Sequence, residues 1–209
     1  MGAAVAVGGD LAGAKAVTPP LLLASSSPQR SAILAQLGLP FEVIAHRYDE
    51  RDEGGLSPAE LVRAHAAGKA RSVAGEAAGR PVLGVDTAVV VAGRILGKPH
   101  GPDEAGEMLS SLAGRAHVVV SGLCLLAGGQ EVVGHEETRV VFRRLAEDDV
   151  AAYVRTGEWE GRAGGYAIQG RGAALVERVE GDYLNVVGLP AALLVRALAD
   201  RFPGAYGIG

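Results

Sequence analysis

The chain has 209 residues, a formal net charge of −4, 48% hydrophobic and 21% charged residues, which is the composition of a soluble globular protein; a chain of this length buries about 70% of its unfolded surface without disulfide or metal staples. There is no overall basic footprint for nucleic acid, no run of about 18 uninterrupted apolar residues to span a membrane, and, with 4% aromatics, no stacking platform for bases. The single cysteine, Cys124, can form neither an intramolecular disulfide nor a Cys-based zinc site, which fits a reducing cytoplasm.

Met1 to Thr18 is rich in Ala, Gly and Val, is broken by Gly8-Gly9 and Asp10, and has no basic lead-in, so it reads as a disordered tail rather than a signal peptide. Residues 19–209 then read as one domain. Leu21 to Ala24 is a short buried strand, and Ser27-Pro28 caps and opens a helix with Ile33, Leu34 and Leu37 at helical spacing. Gly38 closes that helix and Phe41 to Ala45 is a strand. Ser57-Pro58-Ala59-Glu60 is a capping box that opens an Ala-rich helix to about Ala78. Val82 to Val91 is a buried strand, turned at Ala92-Gly93 into Arg94 to Leu96. Pro102 to Leu112 is a helix with acids in its first turn. Two long strands follow, Ala116 to Leu126 and Glu131 to Leu145, then a helix from Glu147 to Thr156. Strands are expected at Tyr166 to Ile168, Ala173 to Val179 and Tyr183 to Val187, before a final helix from Pro190 to Asp200. Mixing of βα units with long hairpins predicts an α/β fold, a mixed twisted sheet with helices on its faces.

Several segments carry chemical potential. Ser25-Ser26-Ser27-Pro28-Gln29-Arg30 places hydroxyls, amides and a guanidinium at a strand-to-helix junction, a set that suits phosphate, or simply a capped helix with a surface Arg. Asp86 interrupts an apolar strand. Alternation puts it on one face with Gly84 and Ala88, which leaves room for a ligand, and a buried carboxylate must meet a cation or donors. Its strand setting is expected to raise its pKa. Lys98 follows one strand reversal after Asp86, so the two can share one end of the sheet. Asp49-Glu50, Lys69 and Gln169 each read singly as solvent-facing groups. Glycines flank Gln169 in Gly164-Gly165-Tyr166-Ala167-Ile168-Gln169-Gly170, which calls for positive φ or close backbone approach, or a plain turn. The five histidines, His65 among them, show no metal spacing and read as ordinary surface or core residues, and Cys124 as an inert buried thiol.

Taken in order, these segments resemble the Maf family of nucleotide pyrophosphatases, from about Leu21 to Leu198. The resemblance rests on Leu23 to Arg30 (LASSSPQR), Asp49-Glu50, Gly68 to Ala70 (GKA), Gly84 to Thr87 (GVDT), Gly97 to Pro99 (GKP), Gly164 to Gly170 (GGYAIQG) and Asn185 to Pro190 (NVVGLP). Gln29 stands where the family often has Arg, Arg162 where many relatives have Lys, Ala167 for a common Gly and Val85 for a common Ala.

The resemblance implies a two-lobed sheet around a cleft, similar to the inosine triphosphate pyrophosphatase fold. It implies a cytoplasmic, often homodimeric enzyme that hydrolyses a nucleoside triphosphate to the monophosphate and pyrophosphate with Mg²⁺ or Mn²⁺. The Gln-bearing Ile168-Gln169-Gly170 looks like the subgroup acting on dTTP and UTP, and modified pyrimidine nucleotides are also open. A role in house-cleaning of the nucleotide pool, and in cell-division arrest, follows from the same resemblance. On this reading Glu50 and Asp86 are metal ligands, Asp86 is the general base and Lys98 a catalytic cation. Ser25, Arg30 and Lys69 hold phosphates, and Gln169 holds either the metal's water or the base edge. The alternative is a division-regulating protein whose nucleotide site senses with little turnover.

Overall fold

The computed structural model describes residues 18–51 and 54–207. Thr18 apart, the expected tail lies outside the described residues.

Seven strands form one mixed sheet: β1 (Leu21–Ala24), β2 (Phe41–Ile44), β3 (Val82–Val91), β4 (Arg94–Leu96), β5 (Ala116–Ala127), β6 (Gln130–Phe142) and β7 (Val176–Glu180). Their order is β2-β1-β3-β5-β6-β7, with β4 pairing on β3. β1 runs parallel to both β2 and β3, because helices α1 (Pro28–Gln36) and α2 (Pro58–Val73) provide the crossovers. The remaining pairings, β3 with β4, β3 with β5, β5 with β6 and β6 with β7, are antiparallel. The other helices are α3 (Pro102–Leu112), α4 (Glu147–Val154), α5 (Tyr183–Val187) and α6 (Ala191–Arg201). Among the described residues no helix is long and apolar enough to cross a membrane.

The long strands β3 and β5 run from one core into another. At one end Leu83 and Val85 of β3 and Leu123 and Leu125 of β5 pack with Ile33, Leu34, Leu189 and Leu194. At the other end Val89 and Val91 of β3 and Val119 of β5 pack with Leu109, Leu112, Phe142, Tyr153 and Trp159. Between the two cores the same strands pair Asp86 with Gly122 and Thr87 with Ser121. The apolar pattern therefore breaks at a polar seam half-way along, and the sheet carries two lobes that meet there.

Helix α2 lies very close to this seam. A Cβ on Gly84 would stand 2.1 Å from the Ala66 carbonyl oxygen, and one on Gly122 would stand 2.1 Å from that of Val62. The small residues around Asp86 thus seat a helix, where the sequence suggested room for a ligand. The start of α2 is as expected: the Ser57 hydroxyl accepts from the Glu60 amide, and the Glu60 carboxylate accepts from the Ser57 amide.

Three expected strands differ. Ala163–Gly165 is a 3₁₀ turn followed by irregular chain, Gly170–Leu175 is a second 3₁₀ turn before β7, and Tyr183–Val187 is helical. In the last case the Asp182 carboxylate accepts from the amides of Leu184 and Asn185, and this cap outweighs the β preference of two valines. Ser27 occupies the N-cap position of α1, but its hydroxyl donates to the Gln29 side chain (3.2 Å) and makes no cap bond. β6 ends at Phe142, three residues short of the expected strand.

Candidate active site

A cleft of about 1100 Å³ opens at the seam between the two lobes. Ser25, Arg30, Glu50, Lys69, Asp86, Lys98 and Gln169 all line it, although they come from six separate stretches of chain.

The centre is Asp86, whose side chain is 13% exposed. Two residues one turn apart on α2 reach it: Lys69 Nζ donates to Oδ1 at 2.6 Å, and His65 Nδ1 lies 3.3 Å from Oδ2. Lys69, 4% exposed, also lies 2.8 Å from Oε1 of the more exposed Glu50. Burial pushes the Asp86 carboxyl up, but the hydrogen bond from His65 and the charge and hydrogen bond of Lys69, helped by Arg30, outweigh it and hold the group down at about 2. The expected rise in pKa is thus reversed. The hydrogen bond to Asp86 raises the His65 imidazole against the opposing effect of burial.

Gly68 explains how α2 carries this pair. A Cβ there would run into the Tyr48 ring at 2.3 Å, so the glycine lets Tyr48 lie on the helix. Its ring meets His65 edge-on, with centroids 5.7 Å apart and planes at 61°.

Arg30, on the first turns of α1, is held by three acceptors: the Gly188 carbonyl (3.0 Å), the Ser25 hydroxyl (3.0 Å) and the Thr87 hydroxyl (3.3 Å). Thr87 is in turn 2.9 Å from the Ser121 hydroxyl. Gly188 follows α5, which is anchored by the fully buried Asn185: its amide donates to the Val119 carbonyl (3.1 Å) and the Thr138 hydroxyl (3.0 Å). A guanidinium fixed at this many points presents its charge in one direction.

The opposite wall is the glycine-rich loop. Gly164, Gly165 and Gly170 all have φ near +70°, which glycine adopts without strain. The Gly164 amide donates to the Gly97 carbonyl (2.9 Å), so the loop is tied to the segment that bears Lys98. The Ala167 amide donates to the Tyr153 hydroxyl (3.0 Å), and the Glu158 carboxylate accepts from the amides of Arg171 and Gly172. Gln169, exposed at the start of the second 3₁₀ turn, projects from this braced frame. Lys98 is also exposed, and no ion pair joins it to another described residue.

Glu50, His65 and Asp86 each offer one ligand atom, all within 4.8 Å of one another. The Lys69 ammonium already sits between the two carboxylates, so these hard oxygens converge on a position that suits a cation.

The chain matches the family model described as Maf-like protein over residues 20–201. It belongs to the Maf family. This Maf chain is 49% identical over 180 residues to the dTTP/UTP pyrophosphatase of Symbiobacterium thermophilum, covering 86% of this chain and 93% of that one. It is 50% identical to the dTTP/UTP pyrophosphatase of Moorella thermoacetica, with the same coverage. To the dTTP/UTP pyrophosphatase of Gloeobacter violaceus it is 47% identical, covering 88% of this chain and 97% of that one.

The residue that sequence reasoning set aside in the Maf chain is His65. Its spacing from other metal-binding types is uninformative. The available signal was its place four residues before Lys69 on an Ala-rich helix, which puts the two side chains one above the other.

Proposed function

We propose that this chain hydrolyses dTTP or UTP to the nucleoside monophosphate and pyrophosphate. One observation carries the reading: Arg30, Lys69 and Lys98 line the same cleft as Glu50 and Asp86, at the seam between two lobes. That is the charge pattern an in-line attack on a polyphosphate requires, since the phosphorus is shielded by anionic oxygens.

In this reading Ser25, Arg30, Lys69 and Lys98 bind the triphosphate and stabilise charge that develops on the departing pyrophosphate. Arg30 arrives pre-oriented by its three acceptors. Asp86 accepts the proton of the attacking water. Held at about 2, it is ionised at neutral pH but weakly basic. Phosphate oxygens compete for the Lys69 ammonium, and as that charge turns to the substrate the basicity of Asp86 rises. Gln169 meets the base edge or a water beside the phosphates.

A divalent ion, Mg²⁺ or Mn²⁺, would be held by Glu50 and Asp86, with His65 beside them and Gln169 reaching from the loop. When bound it supplies charge neutralisation and a more acidic water. The active unit in this reading is residues 19–209, as a cytoplasmic homodimer, and its role is control of the nucleotide pool.

The test is multiple-turnover assay of purified protein on a panel of nucleoside triphosphates with Mg²⁺ and with Mn²⁺. The expected result is preferred release of pyrophosphate from dTTP and UTP. Stoichiometric binding without turnover on every nucleotide would replace the enzyme with a sensor.

A further inference from the structure

The carboxylate of Asp86 is gripped at both oxygens by one helix. Lys69 takes Oδ1 and His65 faces Oδ2, and the two are four residues apart on α2. Lys69 is shared with Glu50 and is drawn toward any anion that enters the cleft. His65 forms an ion pair with no carboxylate but Asp86 among the described residues: it is 5% exposed and its Nδ1 faces Asp86 Oδ2. Its ring is set edge-on by Tyr48, for which Gly68 makes room. The backbone under it is fixed by the close approach of α2 to Gly84 and Gly122.

From this geometry we infer that His65 is the positioning residue of the reaction: its Nδ1–H holds Oδ2 of Asp86 in place when Lys69 turns to the substrate, so that the carboxylate meets the attacking water in a single orientation. The inference rests on the reading of Asp86 as proton acceptor. A carboxylate turns about its Cβ–Cγ bond unless a partner holds it, and a reacting group displaced by about 1 Å loses up to ~10²-fold in rate. A donor that is buried and ring-packed prevents that rotation. Because His65 touches Asp86 and not the phosphates, its loss should fall on kcat and spare KM.

The test compares wild type with His65→Leu, His65→Asn and His65→Gln. Asn carries its amide nitrogen where histidine carries Nδ1, whereas Gln carries its nitrogen near the place of Nε2, so only Asn restores the donor to Asp86. Steady-state kinetics on dTTP or UTP should show kcat lowered about 10–100-fold for Leu and Gln, the scale of a reacting group displaced by about 1 Å, with KM within about threefold; Asn should lie within about threefold of wild type in both. Mn²⁺ affinity, measured by electron paramagnetic resonance without nucleotide, should be unchanged in all three. A wild-type kcat in the Leu and Gln variants overturns the inference. So does an Asn variant that folds and is as slow as Gln, or a Mn²⁺ affinity more than about tenfold weaker, since either makes the imidazole itself the required group. If Leu does not fold, the contrast of Asn with Gln decides alone. A wild-type protein that turns over no nucleotide would instead defeat the underlying reading.

Discussion

The Lys69 ammonium lies 2.6 Å from Oδ1 of Asp86, both groups being shut into the seam between the two lobes. Removing one partner of such a pair leaves the other charged and poorly solvated, at a cost of about 3–5 kcal/mol when both are fully buried. Lys69→Met should therefore destabilise the protein by about 2–4 kcal/mol, moderated by the partly exposed Glu50, and should allow burial to push the Asp86 carboxyl up. Urea unfolding at pH 7 measures the first effect; an unchanged midpoint would show the pair to be energetically idle.

Asp86→Asn is expected to lower kcat by roughly 10²–10⁴-fold, the usual contribution of a general base. The sequence requires a cation or donors for a charge inside an apolar strand, and the structure supplies them in Lys69 and His65, so that removing the charge strands both partners. A fall in stability of about 1–3 kcal/mol is expected, with measurable nucleotide affinity retained through Arg30 and Lys98. Turnover near wild type would remove Asp86 from the chemistry.

Gly84 and Gly106 should respond oppositely to alanine. At Gly84 a methyl group would meet the Ala66 carbonyl oxygen at 2.1 Å, whereas at Gly106 in α3 its nearest neighbour is the Val150 side chain at 4.0 Å. Gly84→Ala should cost about 1–3 kcal/mol and reduce turnover as well, since it lifts the helix that bears His65 and Lys69. Gly106→Ala should gain about 0.5–1 kcal/mol of helix stability and leave turnover unchanged. Thermal unfolding and initial rates on both variants check the pair.

His117 gives the fold an acid-sensitive element. It is 2% exposed, with Nε2 2.8 Å from the Tyr166 hydroxyl, Nδ1 without a partner and Phe142 edge-on at 5.0 Å. Burial pushes the imidazole down to about 4. The unfolded chain binds this proton below about 6.5, while the folded chain does so only near 4. Stability from this group is therefore complete above pH 6.5 and is lost as pH falls toward 4, by about 3 kcal/mol in all. Denaturant unfolding at pH 7 and pH 5 should show the loss in wild type and a shallower one in His117→Gln. Equal slopes in the two proteins would contradict it.

Much of the sheet is legible in the sequence because β1, β3 and β5 are largely apolar runs, broken in β3 and β5 at the seam, and the turn residues between them are unambiguous. The capping box of α2 is equally plain. Less legible are features set by tertiary contact. Tyr183–Val187 is short enough that the Asp182 cap and the buried Asn185 amide decide its form. Gly84 looks like space until a helix is seen lying on it and on its strand neighbour Gly122. The seven residues singled out from the sequence do line one cleft, yet the partner that faces Asp86 Oδ2, His65, comes from a helix face whose relation to β3 no local pattern reveals.

In the proposed reaction water attacks the α-phosphorus of dTTP or UTP and Asp86 takes its proton. The most direct measurement is phosphorus NMR of the products formed in ¹⁸O-enriched water. The expected products are monophosphate and pyrophosphate in equal amounts, with the label on the monophosphate and no product from Asp86→Asn on the same timescale. Orthophosphate and a nucleoside diphosphate, or label on the pyrophosphate, would contradict it.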